Sequence, residues 1–325
     1  MRVLINRMTL AGLAAAGAPA AMAQSSLEIF GRINTTLERQ KTGDATTTGL
    51  YNNRSSIGFR GTEDLGGGLR AGFVLEADFN SDDGSGRGGT GIDFRRHSEV
   101  NLSGNFGRLR LGSMPSETYI AMAAEGVMGQ PNHDLGSLSD ALYYYPMPDA
   151  NKIAYRTPVL WGGLTIEGAS AFHENAENSG NRNGYDLTAK WAQGPLSLAT
   201  GVTKVHDSTT LGLHAQYTFD AFRVGAYYQR TDEDLRGKRN AARITALYSL
   251  GLSDLIAGVG WAGDWSGVSG SSARQLILGY NYHLSLRTKV YAGYTKVDNK
   301  ANARYATGTD GADFSTFALG IRHHF

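Results

Sequence analysis

Runs of about ten residues that alternate between apolar and polar recur along this chain. Turn residues separate them, and this pattern constrains the fold more than any other feature. In the first run Leu27, Ile29, Gly31, Ile33, Thr35 and Leu37 point one way. Glu28, Phe30, Arg32, Asn34, Thr36 and Glu38 point the other. Between Leu69 and Asn80, Leu69, Ala71, Phe73, Leu75, Ala77 and Phe79 oppose Arg70, Glu76, Asp78 and Asn80. One such run suits a half-buried soluble sheet equally well, so the number of runs and their connections must decide. Sixteen strands are read, at 27–39, 53–62, 69–80, 95–103, 107–114, 151–158, 164–173, 184–192, 196–205, 209–219, 222–231, 239–249, 254–264, 273–284, 286–296 and 313–325.

The last run ends on an aromatic residue, Phe325. Phe317, Leu319, Ile321, His323 and Phe325 share one face, and Thr316, Ala318, Gly320, Arg322 and His324 share the other. A terminal strand of this kind is satisfied when it pairs along both edges, as in a closed barrel. Connections such as Gln193–Pro195 and Asp220–Ala221 are short, and they alternate with mostly longer ones, such as Gln40–Asn52, Ser81–Phe94, Asp232–Lys238 and Val297–Ala312. His206–Ser208 is short where the pattern asks for length. Long loops at one end and short turns at the other are the asymmetry of an outer-membrane barrel, with both termini at the short-turn, periplasmic end. The expected fold is all-β, a 16-stranded antiparallel transmembrane β-barrel. A barrel that wide is not filled by its side chains. The connection Pro115–Ala150 is long and rich in apolar residues, notably Tyr119 to Met128, and is expected to fold inward as a short helix on the inner wall.

Arg2 and Arg7, the apolar run Leu10–Ala18 and the Ala21-Met22-Ala23 site predict a secretory signal peptide over residues 1–23, leaving a barrel over 24–325. No other stretch approaches the roughly 18 apolar residues of a membrane helix, which says nothing against strands that show lipid only every second residue. The chain has no cysteine, so no disulfide supports it, while 43 glycines, 16 tyrosines and only 7 prolines suit many strands with tight turns. Without Arg2 and Arg7, 29 basic residues face 30 acidic ones, and a nucleic-acid partner would require a basic excess.

Motifs that suggest chemistry fall in the wrong context. Gly84-Ser-Gly-Arg-Gly-Gly89 fits a dinucleotide fingerprint but precedes a strand instead of a helix. Asp78-Phe-Asn-Ser-Asp-Asp-Gly84 resembles the start of a calcium loop, with its glycine one position late and no glutamate at the twelfth position. The histidines show no metal-ligand spacing, and no nucleophile–base motif is present, so neither catalysis, a metal nor a cofactor is expected. Trp161, Trp191, Trp261 and Trp265 lie near strand ends and are expected to anchor at the membrane interface.

Several segments resemble those of the Gram-negative general porins, the betaproteobacterial type most closely. They are Leu27-Glu-Ile-Phe-Gly-Arg-Ile-Asn34, the stretch Ser56–Ala71, Gly107-Arg-Leu-Arg-Leu-Gly112, Asn151-Lys-Ile-Ala-Tyr-Arg-Thr-Pro158 and Gly320-Ile-Arg-His-His-Phe325. The resemblance implies a homotrimer in outer-membrane lipid and lipopolysaccharide. It also implies an eyelet where wall arginines face carboxylates of the third loop, and a terminal aromatic read by the assembly machinery. It assigns Arg156, Arg96 and Glu76 to the eyelet. Arg54 stands in for the family's strand-two arginine, whose place is held by Ser56, and Glu117 and Glu125 are the loop carboxylates. Arg96 shares its parity with Val100 and Leu102, so a bulge is required there or Arg95 takes the role. Arg32, Arg60, Arg70 and Arg95 are further pore-lining candidates.

The function expected is passive diffusion of small hydrophilic solutes and ions through a water-filled outer-membrane channel. The wall set is rich in cations, which predicts mild anion preference. A solute-selective channel is a close variant. A barrel enzyme would need a catalytic constellation, and an adhesive surface protein would not need the long inward loop.

Overall fold

The computed structural model describes residues 26–86, 91–129, 140–176 and 182–325, so the expected signal peptide lies outside the described residues. The strands are β1 (Ser26–Thr42), β2 (Ala45–Asn52), β3 (Ser55–Gly66), β4 (Leu69–Phe79), β5 (His97–Gly104), β6 (Gly107–Ser113), β7 (Lys152–Arg156), β8 (Leu164–Ala171) and β9 (Gly184–Gln193). They continue as β10 (Leu196–Val205), β11 (Ser208–Phe219), β12 (Phe222–Glu233), β13 (Gly237–Leu250), β14 (Ser253–Ala262), β15 (Ala273–His283), β16 (Thr288–Asn299) and β17 (Phe314–His324). Each pairs antiparallel with its neighbours in one sheet.

The sheet closes on itself. β17 pairs with β1 from Arg32↔His324 to Thr42↔Phe314. The other edge of β1 pairs with β2 over Thr35–Thr42 and with β3 over Ser26–Arg32. β2 and β3 are therefore two halves of one stave, and the barrel has 16 staves. Closure leaves no strand edge unpaired within the bilayer, which is the condition for a β structure to span it and supplies what a chain without disulfides lacks.

The break in the second stave has a local cause. Arg54 adopts φ +63°, a left-handed conformation that ends one strand and starts the next. The kink is held because Asn53 donates its backbone N–H to Asn34 O at 2.8 Å and its side-chain amide to the Tyr291 hydroxyl at 3.0 Å. Tyr291 in turn donates to Asn34 Oδ1 at 2.6 Å. The expected loop at Gln40–Asn52 is thus corrected. β1 runs on to Thr42, turns through Gly43 and Asp44, and returns as β2. The Asp232–Lys238 connection is likewise shorter than expected, because β12 and β13 leave only residues 234–236 between them.

The alternation sorts the two faces as physics requires. On β17 Leu319 and Ile321 are 48% and 51% exposed on the outer face, while Thr316 and Ala318 are 1% and 0% exposed on the inner one. His323 sits on the outer face near the short-turn end, bonded to Thr288 Oγ1 at 2.9 Å. Trp161 and Trp261 are exposed at strand ends. Trp265 departs from the expectation of an interfacial anchor. It is buried, with Arg236 and Arg239 lying over its ring at 4.2 and 4.7 Å.

Candidate functional site

The inner wall carries a chain of alternating charges. In Gly107-Arg-Leu-Arg the two-residue period sends Arg108 and Arg110 inward from β6. Arg108 Nη2 donates to Glu99 Oε1 on β5 at 3.0 Å, and Arg110 Nη2 to Glu99 Oε2 at 2.8 Å. Arg110 Nη1 reaches both oxygens of Glu167 on β8 at 3.0 Å. Arg156 Nε on β7 donates to the same carboxylate at 2.8 Å, and its Nη2 donates to Glu117. Lys190 Nζ on β9 donates to Glu117 at 3.2 Å and to Glu125 at 2.6 Å. Each buried carboxylate thus meets cations from two directions, the condition under which burying charge is tolerated.

A second group lies beside the kink. Arg96 Nε pairs with Glu76 at 2.8 Å and its Nη1 with Asp78 at 2.8 Å, while Arg54 Nη1 lies 3.9 Å from Asp78. Arg32 Nε donates to the backbone carbonyl of Arg54 at 2.6 Å. The parity difficulty at Arg96 disappears because β5 begins one residue later, at His97, so Arg96 belongs to the turn before the strand. Arg95 is corrected for the same reason. It is exposed in that outer connection and bonds Asp93 instead of the wall. Arg60 pairs with Glu28 at 2.8 Å on the exposed short-turn rim, and Arg70, opposite Ser103, is exposed at the same end.

The connection from β6 to β7 meets the inward parity of the opposite wall. It opens with α1 (Glu117–Tyr119) and a π-helical turn (Ile120–Ala124). Ser116 accepts from Tyr119 N at 3.3 Å and donates to Asp186 at 2.8 Å. Thr118 bonds Thr188 at 2.6 Å, Val127 N donates to Gln216 at 2.8 Å, and Tyr144 N donates to Gln229 at 2.9 Å. Asp140 accepts from the Tyr227 hydroxyl and pairs with Arg243, both at 3.0 Å. Val127 and Met128 pack on Leu247, Ile256 and Ile277. Glycines give the segment room. A Cβ on Gly201 would stand 2.5 Å from Thr118, on Gly212 2.8 Å from Met122, and on Gly225 2.6 Å from Val127. Tyr119 stacks on Tyr145 with centroids 4.2 Å apart.

Glu117 is only 7% exposed. Burial pushes its carboxyl above the ordinary value, against the pull of Arg156 and Lys190. Burial likewise raises Asp149, to which the Tyr145 hydroxyl donates at 2.5 Å.

The candidates therefore separate. Arg54, Arg96 and Glu76 form one cluster, and Arg156, Glu117 and Glu125 form another through Lys190. Glu117 and Arg156 do not face each other across a gap but are directly bonded. Sequence reasoning missed Glu99, Arg108, Arg110, Glu167, Asp186 and Lys190. Their inward parity was readable from the alternation, but their convergence from four strands was not.

A closed barrel with a hydrophobic exterior and a charged interior has the architecture of a transmembrane channel. The comparisons name its family. The Gram-negative porin family matches residues 9–302, and the chain belongs to that family. Outer membrane porin protein 32 of Delftia acidovorans is 34% identical over 98% of this chain and 99% of that one. An outer membrane porin of Bordetella pertussis is 27% identical over 97% of this chain and 98% of its own. Among solved structures, the anion-selective porin from Comamonas acidovorans superposes with TM-score 0.76 at 27% identity, covering 93% of this chain and all of that one, 100%. The protein is an outer-membrane porin.

Proposed function

We propose that the β6–β7 connection, about residues 115–150, is the constriction loop of a passive diffusion channel for small hydrophilic solutes and ions, with mild anion preference. One observation carries this reading: side chains of inward parity on β9, β11, β12 and β15 bond this connection at Ser116, Val127, Tyr144 and Ala141. A loop held there occupies part of the bore and sets a size limit. Arg54, Arg96 and Arg156 supply the wall cations at the narrow zone, and Glu76, Glu117 and Glu125 the nearby carboxylates. Because Glu117 is bonded to Arg156 and Lys190, it screens their charge locally and clamps the loop root. Selection then rests on the surplus of cations over carboxylates among inward-facing strand residues, which attracts anions without binding them tightly. The anion selectivity of the Comamonas acidovorans relative supports this sign.

Residues 1–23 act as a cleaved secretory signal, and the chain works as a homotrimer whose remaining outer wall meets lipid, including lipopolysaccharide. Planar-bilayer recording tests the channel reading. Steps in groups of three, with a reversal potential of anionic sign in a salt gradient, are expected. A folded but silent barrel removes the reading, and a cationic reversal potential removes the preference.

A further inference from the structure

Three connections at the long-loop end enclose a hollow that the barrel wall does not require. They are residues 234–236 between β12 and β13, 263–272 between β14 and β15, and 300–313 between β16 and β17. The hollow measures about 500 Å³, the size of a small-molecule site. Arg236, Trp265, Val268, Asn302, Arg304 and Tyr305 line it.

Two guanidinium groups in this lining are held at one edge and open at the other. Arg236 Nε donates to Glu233 at 3.1 Å, and the group lies over the Trp265 ring at 4.2 Å. Arg304 Nε lies 3.2 Å from Asp310. Among the described residues no hydrogen bond occupies the Nη atoms of either arginine, and Asn302 Oδ1 accepts none. Beneath them Arg239 is buried and pairs with no carboxylate among the described residues. It donates to the Tyr305 hydroxyl at 2.6 Å and to Leu142 O at 2.9 Å, and its buried Nε has no partner. Asp264 and Asp313 stand on the same connections, capped by the backbone N–H groups of Gly270 and Asn299, and neither pairs with an arginine. The buried cation is therefore the one left without a counter-charge. Burying a charge unpaired is costly, and an anion in the hollow would offset that cost.

We propose that this hollow binds a small aromatic carboxylate, its carboxylate on Arg236 and Arg304 and its ring against Val268, Tyr305 and the edge of Trp265. The inference rests on the channel reading and gives the channel a capture site at its outer mouth. The planar guanidinium fork matches the two oxygens of a carboxylate. The apolar walls match a ring, and inorganic phosphate would leave them unfilled. A neutral sugar would need an open aromatic face, but the Trp265 ring already carries Arg236 and Arg239. The site also adjoins the β6–β7 connection. Tyr144 of that connection meets Trp265 edge-on at 5.7 Å and lies under Arg236 at 5.7 Å. A solute held there rests close to the returning limb of the loop proposed to narrow the bore.

The test uses the purified protein in detergent and fluorine NMR, with para-fluorobenzoate as the probe and para-fluorobenzyl alcohol as its neutral analogue. The unaltered protein should bind the carboxylate and not the alcohol, and unlabelled benzoate should displace the probe. Arg236→Gln with Arg304→Gln is expected to weaken the probe by on the order of 100-fold, about tenfold per guanidinium. Val268→Trp fills the hollow with both arginines in place and should also weaken it. Arg182→Gln removes a loop arginine that pairs with Asp207 elsewhere, and should leave the affinity unchanged. Equal binding of probe and alcohol, parental affinity in the double variant, or displacement by inorganic phosphate as readily as by benzoate overturns the proposal. An equal loss in Arg182→Gln also overturns it, because the effect then reports only the net charge of the loops. Binding is read without conductance. A silent barrel that still separates probe from alcohol refutes only the channel reading, and a conducting channel that binds neither refutes only the site.

Discussion

The root and the tip of the β6–β7 connection are held by different physics. The root, from Ser116 to Glu125, is held by directional polar contacts to Asp186, Thr188, Arg156 and Lys190. The tip, at Val127 and Met128, is held chiefly by shape: it packs on an apolar patch of the wall with Gly225 beneath, and one backbone bond, from Val127 N to Gln216, joins it to the wall. Polar bonds fix position and charge together, so in the proposed channel the root is the part that sets which ions pass. Packing on glycine fixes only how far the segment stands from the wall, so the tip governs how much room is left. Selectivity and bore should therefore be separable by mutation.

The largest separation is expected from the tip. Gly225→Val puts a branched side chain where Val127 now lies, 2.6 Å from the new Cβ atom. Overpacking of this kind costs about 1–3 kcal/mol and drives the loop toward the pore axis. Single-channel conductance should fall while the anion-to-cation permeability ratio holds. A fall in both would show that tip and root are one unit.

At the root, Arg156→Gln removes one cation from Glu117 and Glu167 while Lys190 and Arg110 remain. One charge felt by an ion roughly 8 Å away through water amounts to about 0.5 kcal/mol, so the permeability ratio should drop about twofold with conductance little changed. Reversal potentials of variant and parent in the same gradient check this.

The smallest effect is a pH effect. The Glu117 carboxyl is raised by burial, so on acidification it takes up its proton before ordinary carboxylates do. Loss of its charge leaves Arg156 and Lys190 less screened, and anion preference should rise first in that mildly acidic range. In Glu117→Gln the early rise should be missing. A parent channel whose selectivity is flat until ordinary carboxylates titrate would contradict the assignment.

Most of the wall was legible because each strand in lipid must repeat its pattern every two residues. Closure of β17 onto β1 and the inward set on β1 follow from that period alone. The second stave was misread where lipid no longer dictates its residues. Ala45-Thr-Thr-Thr-Gly-Leu-Tyr-Asn52 lies beyond the apolar band and alternates too weakly to be recognised as a strand. Arg95 and Arg96 were confused because the strand's parity was extended two residues ahead of its start at His97. Trp265 was assigned to the interface by residue type, but Arg236 and Arg239 provide it with an internal site that only the folded outer loops create. The ion-pair chain from Glu99 to Glu125 was hidden for a related reason. Alternation states which side a residue faces, while register between strands states what it meets.

The central claim is that the β6–β7 connection narrows an otherwise wide bore, and excision tests it most directly. Replacing residues 126–144 by a short Gly-Ser bridge leaves the root at Ser116–Glu125 and all 16 staves in place. Single-channel conductance in a planar bilayer should rise severalfold, with larger sugars now admitted in liposome swelling. Unchanged conductance from a correctly folded variant would contradict the claim and place the limiting aperture elsewhere in the barrel.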